Sequence, residues 1–148
     1  MFKNILIATD GSELAAKAVD RGLALAQIVG AAVTFVTVTA DWSATEMADR
    51  AERGEQHPVE GYEGKVAARA SAILSDCAKA AQKTGVRHTT VHVKDRPAAE
   101  GIIESAKVND CDLIVMASHG RGGVGRLLLG SVATKVLTYG TVPILICR

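Results

Sequence analysis

The chain has 148 residues, 48% of them hydrophobic and only 3% aromatic, a length that suits a single domain over residues 1–148 because two half-sized cores would each bury too little of their unfolded surface. Its 17 basic and 16 acidic residues leave a net charge of +1 and are spread along the chain, so no basic stripe tracks a phosphate backbone and nucleic acid is not an expected partner. No apolar stretch reaches membrane-spanning length and no signal-type apolar core follows Met1, while Cys77, Cys111 and Cys147 lie far apart with no metal-chelating spacing; a cytoplasmic protein with buried free thiols is expected.

Residues 3–9 (KNILIAT) form an apolar run that ends in turn and cap residues at Asp10, Gly11 and Ser12, which predicts a first strand. Leu14, Ala15, Ala18, Val19, Leu23, Ala26 and Val29 then recur at helical spacing, and Gly30 supplies a stop. Residues 32–39 (AVTFVTVT) are β-branched and alternate, giving a second strand. Residues 41–64 are polar, contain Gly54, Pro58 and Gly61, and show no clear period, so they read as a long mobile loop with a helical turn around Thr45 to Arg53. A helix is expected over residues 65–83 up to Gly85, a strand over 87–94, a helix from about Pro97 to Val108, and a strand over 112–117. A glycine-rich loop, a helix from Ser131 to about Tyr139 and a last strand from Val142 to Cys147 close the chain.

Strand and helix therefore alternate throughout, which predicts an α/β protein with a doubly wound, Rossmann-like parallel sheet of five strands in the order 3-2-1-4-5, helices covering both faces. Ligands of such sheets bind beyond the carboxyl ends of the strands, where the winding reverses. With strand one beside strand four, Thr9, Asp10 and the loop after Ala117 face one crevice.

That loop carries the chemistry. It reads Ala117-Ser-His-Gly-Arg-Gly-Gly-Val-Gly-Arg-Leu-Leu-Leu-Gly130-Ser131, and its glycines let the backbone approach a ligand and turn N–H groups inward. Gly130, Ser131 and Val132 open a helix whose free N–H groups and positive dipole end suit phosphate oxygens. Arg121 or Arg126 offsets charge on the outer phosphates. The simpler alternative makes the glycines plain turns and Ser131 an N-cap. His119 has no partnered nucleophile in view, so a structural role fits it better than that of a general base; His57, His88 and His92 read as solvated.

The chain resembles the universal stress protein family, whose ATP-binding members carry Gly-x2-Gly-x9-Gly-Ser/Thr at this place. Gly120, the nine residues 121–129, Gly130 and Ser131 fit that pattern, and Ala117 replaces its first glycine. The resemblance extends to the opening ILIATDGS and the closing TVPILI. It implies that Thr9 and Asp10 sit beside the sugar, that the backbone of Val38 meets the adenine edge, and that Met116 and Ala117 line the pocket. By the same likeness Gly120, Arg121, Gly130, Ser131 and Val132 hold ribose and phosphates, with His119 and Gly122 inside the motif. Helix capping by an Asp10, Glu13 pair is the competing account of Asp10.

The function the resemblance implies is that of an ATP-binding regulatory protein of the stress response, read here as a nucleotide-dependent switch using ATP with Mg2+ and acting on a regulatory protein partner. A slow ATPase or autophosphorylating phosphotransferase is the alternative, but no Walker lysine follows the glycines and Asp10 is the only carboxylate expected at the site. A nucleotide-independent partner-binding module is a further one. A receiver or flavodoxin-like module shares the layout, yet a receiver wants an acidic cluster after strand one and a flavin wants aromatic rings. The last strand ends the chain and invites edge pairing, and the family likeness implies a two-fold homodimer through it.

Overall fold

The computed structural model describes residues 1–120 and 128–148. Strands β1 (Asn4–Ala8), β2 (Ala32–Val38), β3 (His88–Val93), β4 (Leu113–Ala117) and β5 (Ile144–Cys147) are joined by helices α1 (Glu13–Val29), α2 (Ala44–Glu52), α3 (Pro58–Thr84), α4 (Ala98–Val108) and α5 (Ser131–Tyr139). Every strand pairing is parallel and the order is β3-β2-β1-β4-β5, as the alternation predicts. The chain starts at the centre, winds out to β3, then returns past β1 to β5, so the winding reverses between β1 and β4.

Side chains of a strand alternate between faces. Ile5, Ile7, Val33, Phe35, Leu113 and Val115 therefore enter one core with Leu23 of α1 and Leu74 of α3. Leu6, Ala8, Val36, Ile114 and Met116 enter a second with Ile102 of α4 and Val136 of α5. Burial on both faces is why β4 and residues 5–8 of β1 read as apolar runs, and each fully buried Val, Leu or Ile contributes about 1.5–3 kcal/mol. Helices α1 and α3 stop where expected, with Gly30 and Gly85 left-handed at φ 71° and 70°.

Residues 41–64 are not a long loop: the helical turn expected around Thr45 to Arg53 is α2, and the rest of the segment runs into the first turns of α3. Ser43 caps α2 by accepting from the Glu46 N–H at 3.1 Å, and α3 begins at Pro58, where a missing N–H costs nothing. Gly61 and Gly64 lie inside α3 and interrupt the apolar period, at a cost of about 1 kcal/mol each against alanine. A side chain at Gly61 would run into the Glu55 carboxylate, which Arg50 holds at 2.7 Å. The glycine makes room for the ion pair that ties α2 to the turn before α3.

Two of the histidines expected in solvent are half-buried. His88 stands edge-on to Phe35, ring centroids 6.3 Å apart, and His92 Nε2 lies 2.8 Å from the Thr39 hydroxyl, with burial and then the Lys94 charge lowering its pKa. The three cysteines are buried and free. Burial, aided by Asp76, pushes the Cys77 thiol up from 9.0 to about 11, and burial raises Cys111 and Cys147 as well, which keeps all three protonated and unreactive at neutral pH. No described helix is long and apolar enough to cross a membrane.

Candidate functional site

The chain leaves β1 through a turn that its own side chains build. Thr9 N–H donates to the Val36 carbonyl at 3.0 Å and extends the ladder past Ala8. Thr9 Oγ1 accepts from the Gly11 N–H at 3.2 Å, and Asp10 Oδ1 accepts from the Ser12 N–H at 3.0 Å. Gly11, at φ 78°, adopts the left-handed backbone that swings the chain into α1. The cap of α1 is Ser12, whose hydroxyl accepts from the Ala15 N–H at 3.2 Å; the pairing of Asp10 with Glu13 does not form the cap. Asp10 is thereby left on the wall of the crevice.

Across the crevice, Gly130 is the N-cap of α5, and Ser131 is the first helical residue instead of the cap. A glycine N-cap gives this end of the helix no side-chain cap. The Gly130 N–H donates to the Ser118 carbonyl at 2.7 Å, and a Cβ at Gly130 would stand 3.0 Å from that oxygen and 3.3 Å from His119 Cα. Only glycine lets the end of β4 and the start of α5 lie this close. The Thr134 N–H makes the first bond of the helix, to the Gly130 carbonyl at 3.0 Å, so the N–H groups of Ser131, Val132 and Ala133 lack an acceptor within it.

Between these two turns lies a cleft of about 580 Å³. Val36 and Val38 of β2 with Ala98 and Ile102 of α4 give it an apolar wall, Thr9 and Asp10 a polar floor, and Met116, Ser118, His119, Gly120 and the start of α5 the opposite side. The strand ladder also orients the Val38 peptide groups. Thr39 N–H donates outward to Val93 at 2.9 Å and Thr9 N–H reaches Val36, so alternation turns the Val38 N–H and C=O toward β1. There β1 has ended at Ala8, and the groups face the crevice.

Of the residues named from the sequence, Thr9, Asp10, Val38, Met116, Ala117, His119, Gly120, Gly130, Ser131 and Val132 line this one cleft; Arg121, Gly122 and Arg126 lie outside the described residues. Ala117 belongs to β4, paired with Cys147 and buried in the core beneath α1, so its position takes no left-handed backbone and needs no glycine. The sequence reading missed Ser118 and the α4 wall. His119 Nδ1 lies 2.9 Å from the Ser118 hydroxyl, and His119 Nε2 is buried without a partner among the described residues. Asp10 and His119 are the ionisable side chains among the described residues of the lining.

The Universal stress protein family matches the chain over residues 1–148. Universal stress protein YxiE of Bacillus subtilis is 32% identical over 149 residues, covering 100% of both chains. A universal stress protein of Thermus aquaticus is 35% identical over 152 residues with the same full coverage. Among solved structures, the hypothetical protein MJ0577 superposes with a TM-score of 0.80 at 26% identity, covering 99% of this chain and 96% of that one. A universal stress protein in complex with cAMP gives 0.71 at 25% identity, covering 99% and 97%.

Proposed function

The chain belongs to the universal stress protein family, and from that premise we propose that it binds an adenine nucleotide, ATP with Mg2+, and serves as a nucleotide-dependent switch in the stress response. The observation that carries this reading is that one crevice joins two complementary surfaces. The uncapped start of α5 supplies N–H donors and the positive end of a helix dipole for phosphate. The apolar wall of Val36, Ala98 and Ile102 suits a base, and the Val38 peptide edge offers a donor and an acceptor for its hydrogen-bonding rim. That a relative of 25% identity was solved with cAMP supports adenine as the base. Asp10 is the one carboxylate among the described lining residues and is the group that would face a metal ion arriving with the phosphates.

Turnover is the weaker reading, because the described lining holds one carboxylate and no lysine. Isothermal titration of Mg-ATP into nucleotide-stripped protein is the direct test. Saturable binding at one site per chain is expected. If the stripped protein is folded by circular dichroism and takes up no ATP, the nucleotide reading fails and a partner-binding module without nucleotide replaces it.

The free edge of β5 supports a homodimer. Ile114 N–H donates to the Pro143 carbonyl at 3.0 Å and Ser118 N–H to the Cys147 carbonyl at 2.8 Å, so alternation turns the N–H and C=O groups of Ile144 and Ile146 outward. Pro143 precedes the first rung of the strand, where its missing N–H is harmless. An apolar edge of this kind accepts a second copy of itself. Ile146→Pro removes an outward donor and spares the ladder to β4; light scattering should then report a monomer of unchanged circular dichroism, and a dimer that persists would place the contact elsewhere.

A further inference from the structure

We propose that His119 is a phosphate-binding residue, its Nε2–H donating to a phosphate oxygen of the bound nucleotide and the Ser118 hydroxyl fixing the ring in the tautomer that carries that proton. The proposal deepens the nucleotide-binding reading and rests on it.

The tautomer follows from counting donors and acceptors. Ser118 is buried, 3% exposed, and its hydroxyl has one hydrogen-bond partner among the described residues, His119 Nδ1 at 2.9 Å. If Nδ1 carried the ring proton, it would donate to Ser118 Oγ. The hydroxyl proton would then have no acceptor among the described residues, and Nε2 would be a second unsatisfied atom. If the hydroxyl donates to Nδ1, both are satisfied and the ring proton sits on Nε2. The first arrangement strands two polar groups and the second only one, so buried-group satisfaction selects Nε2–H.

That remaining donor is buried and has no partner among the described residues, although a carboxylate, Asp10, lines the same cleft. An unsatisfied buried donor is destabilising unless something supplies an acceptor. Its surroundings say what kind. A Cβ at Gly130 would lie 3.9 Å from His119 Cδ2, the ring carbon bonded to Nε2, so this edge of the imidazole adjoins the uncapped start of α5. An acceptor there sits in the positive field of the helix end, which favours an anionic oxygen over a neutral one. The ligand class is therefore an adenine nucleotide with at least one phosphate, and the contact distinguishes it from the bare nucleoside.

Asparagine places an amide near Nδ1 of histidine and glutamine places one near Nε2, so the pair separates the two ring positions. Titrations of ATP and of adenosine into wild type, His119→Asn, His119→Gln and Ser118→Ala form the test, with long-range 1H–15N spectra of the imidazole recorded on free and ATP-loaded wild type. His119→Asn should weaken ATP about tenfold and leave adenosine unchanged. His119→Gln should recover most of the loss, and Ser118→Ala should mix the tautomers and lose part of it. The free protein should show the Nε2–H tautomer, its proton moving downfield when ATP binds. ATP binding that survives His119→Asn at full strength, or an Nδ1–H tautomer, overturns this proposal alone. A wild type that binds neither ATP nor adenosine overturns the nucleotide reading and the proposal together.

Discussion

Ser131→Asp is expected to cut the affinity for Mg-ATP by about a hundredfold or more while leaving the protein at least as stable as before. Position 131 is the first residue of α5 and its side chain is exposed, so a carboxylate there meets no packing obstacle. It meets the helix dipole favourably, a gain of about 0.3–1 kcal/mol. To a phosphate in the same crevice it is a like charge at close range, and two such charges about 4 Å apart repel by about 4 kcal/mol at the effective dielectric of a protein surface. Screening by salt lowers that figure, which is why the expectation is set at two decades. Stability and binding thus move in opposite directions, a pattern that general damage to the fold does not produce. Substitution at Gly130 would be a poorer probe, because the 3.0 Å approach to the Ser118 carbonyl would disturb the backbone as well. Titration calorimetry and a thermal melt of the same samples decide the matter. Unaltered ATP affinity in Ser131→Asp would mean that the phosphates do not lie at the start of α5.

The parts of this molecule legible in its sequence are those whose physics is local. Strand β4 and the apolar run of β1 announce themselves because burial on both faces favours apolar residues, β2 because its β-branched residues alternate, and Gly30 and Gly85 mark helix ends because left-handed backbone favours glycine. The loop around Gly130 is legible for the same reason, since close approach and an open helix end both demand particular residue types. Helix α2 is legible only as a helical turn around Thr45 to Arg53, because only Met47 on it is buried; its cap at Ser43 and the pair between Arg50 and Glu55 hold it with no apolar stripe to betray it. The first turns of α3 are hidden by Gly61 and Gly64, which read as breakers although Pro58 stood at the helix start. The choice of Ser12 over Asp10 as the cap of α1 lay between two capping residues separated only by Gly11, and the path of the chain through that glycine decides it. The α4 wall is a tertiary fact: Ala98 and Ile102 reach the cleft because Gly101 lets α4 close on β2, where a Cβ would come within 2.7 Å of a Val38 methyl.

A similar close approach sets a large stability effect at Gly22. Gly22 lies in the buried stripe of α1, directly over the central strand, and a Cβ on it would stand 2.5 Å from Ile7 Cδ1, 3.0 Å from Ile7 Cγ1 and 3.5 Å from a Val115 methyl. Ile7 and Val115 are both fully buried. For Gly22→Ala the nearest obstacle is the end of one flexible side chain, and a helix interior favours alanine by about 1 kcal/mol, so the two effects offset and the change in stability should be small. Gly22→Leu adds three further carbons with no space to enter. Overpacking of this degree costs about 3 kcal/mol, which for a chain of this size lowers Tm by roughly 10 °C. Urea and thermal unfolding of wild type and both variants measure the difference, and a leucine variant that melts with the wild type would show that α1 does not pack this tightly on β1 and β4. The consequence reaches the crevice, because α1 begins at the turn of Asp10 and Ser12. A helix lifted from the sheet at Gly22 tilts that turn, so Gly22→Leu should also weaken ATP binding, whereas Gly22→Ala should bind as the wild type does.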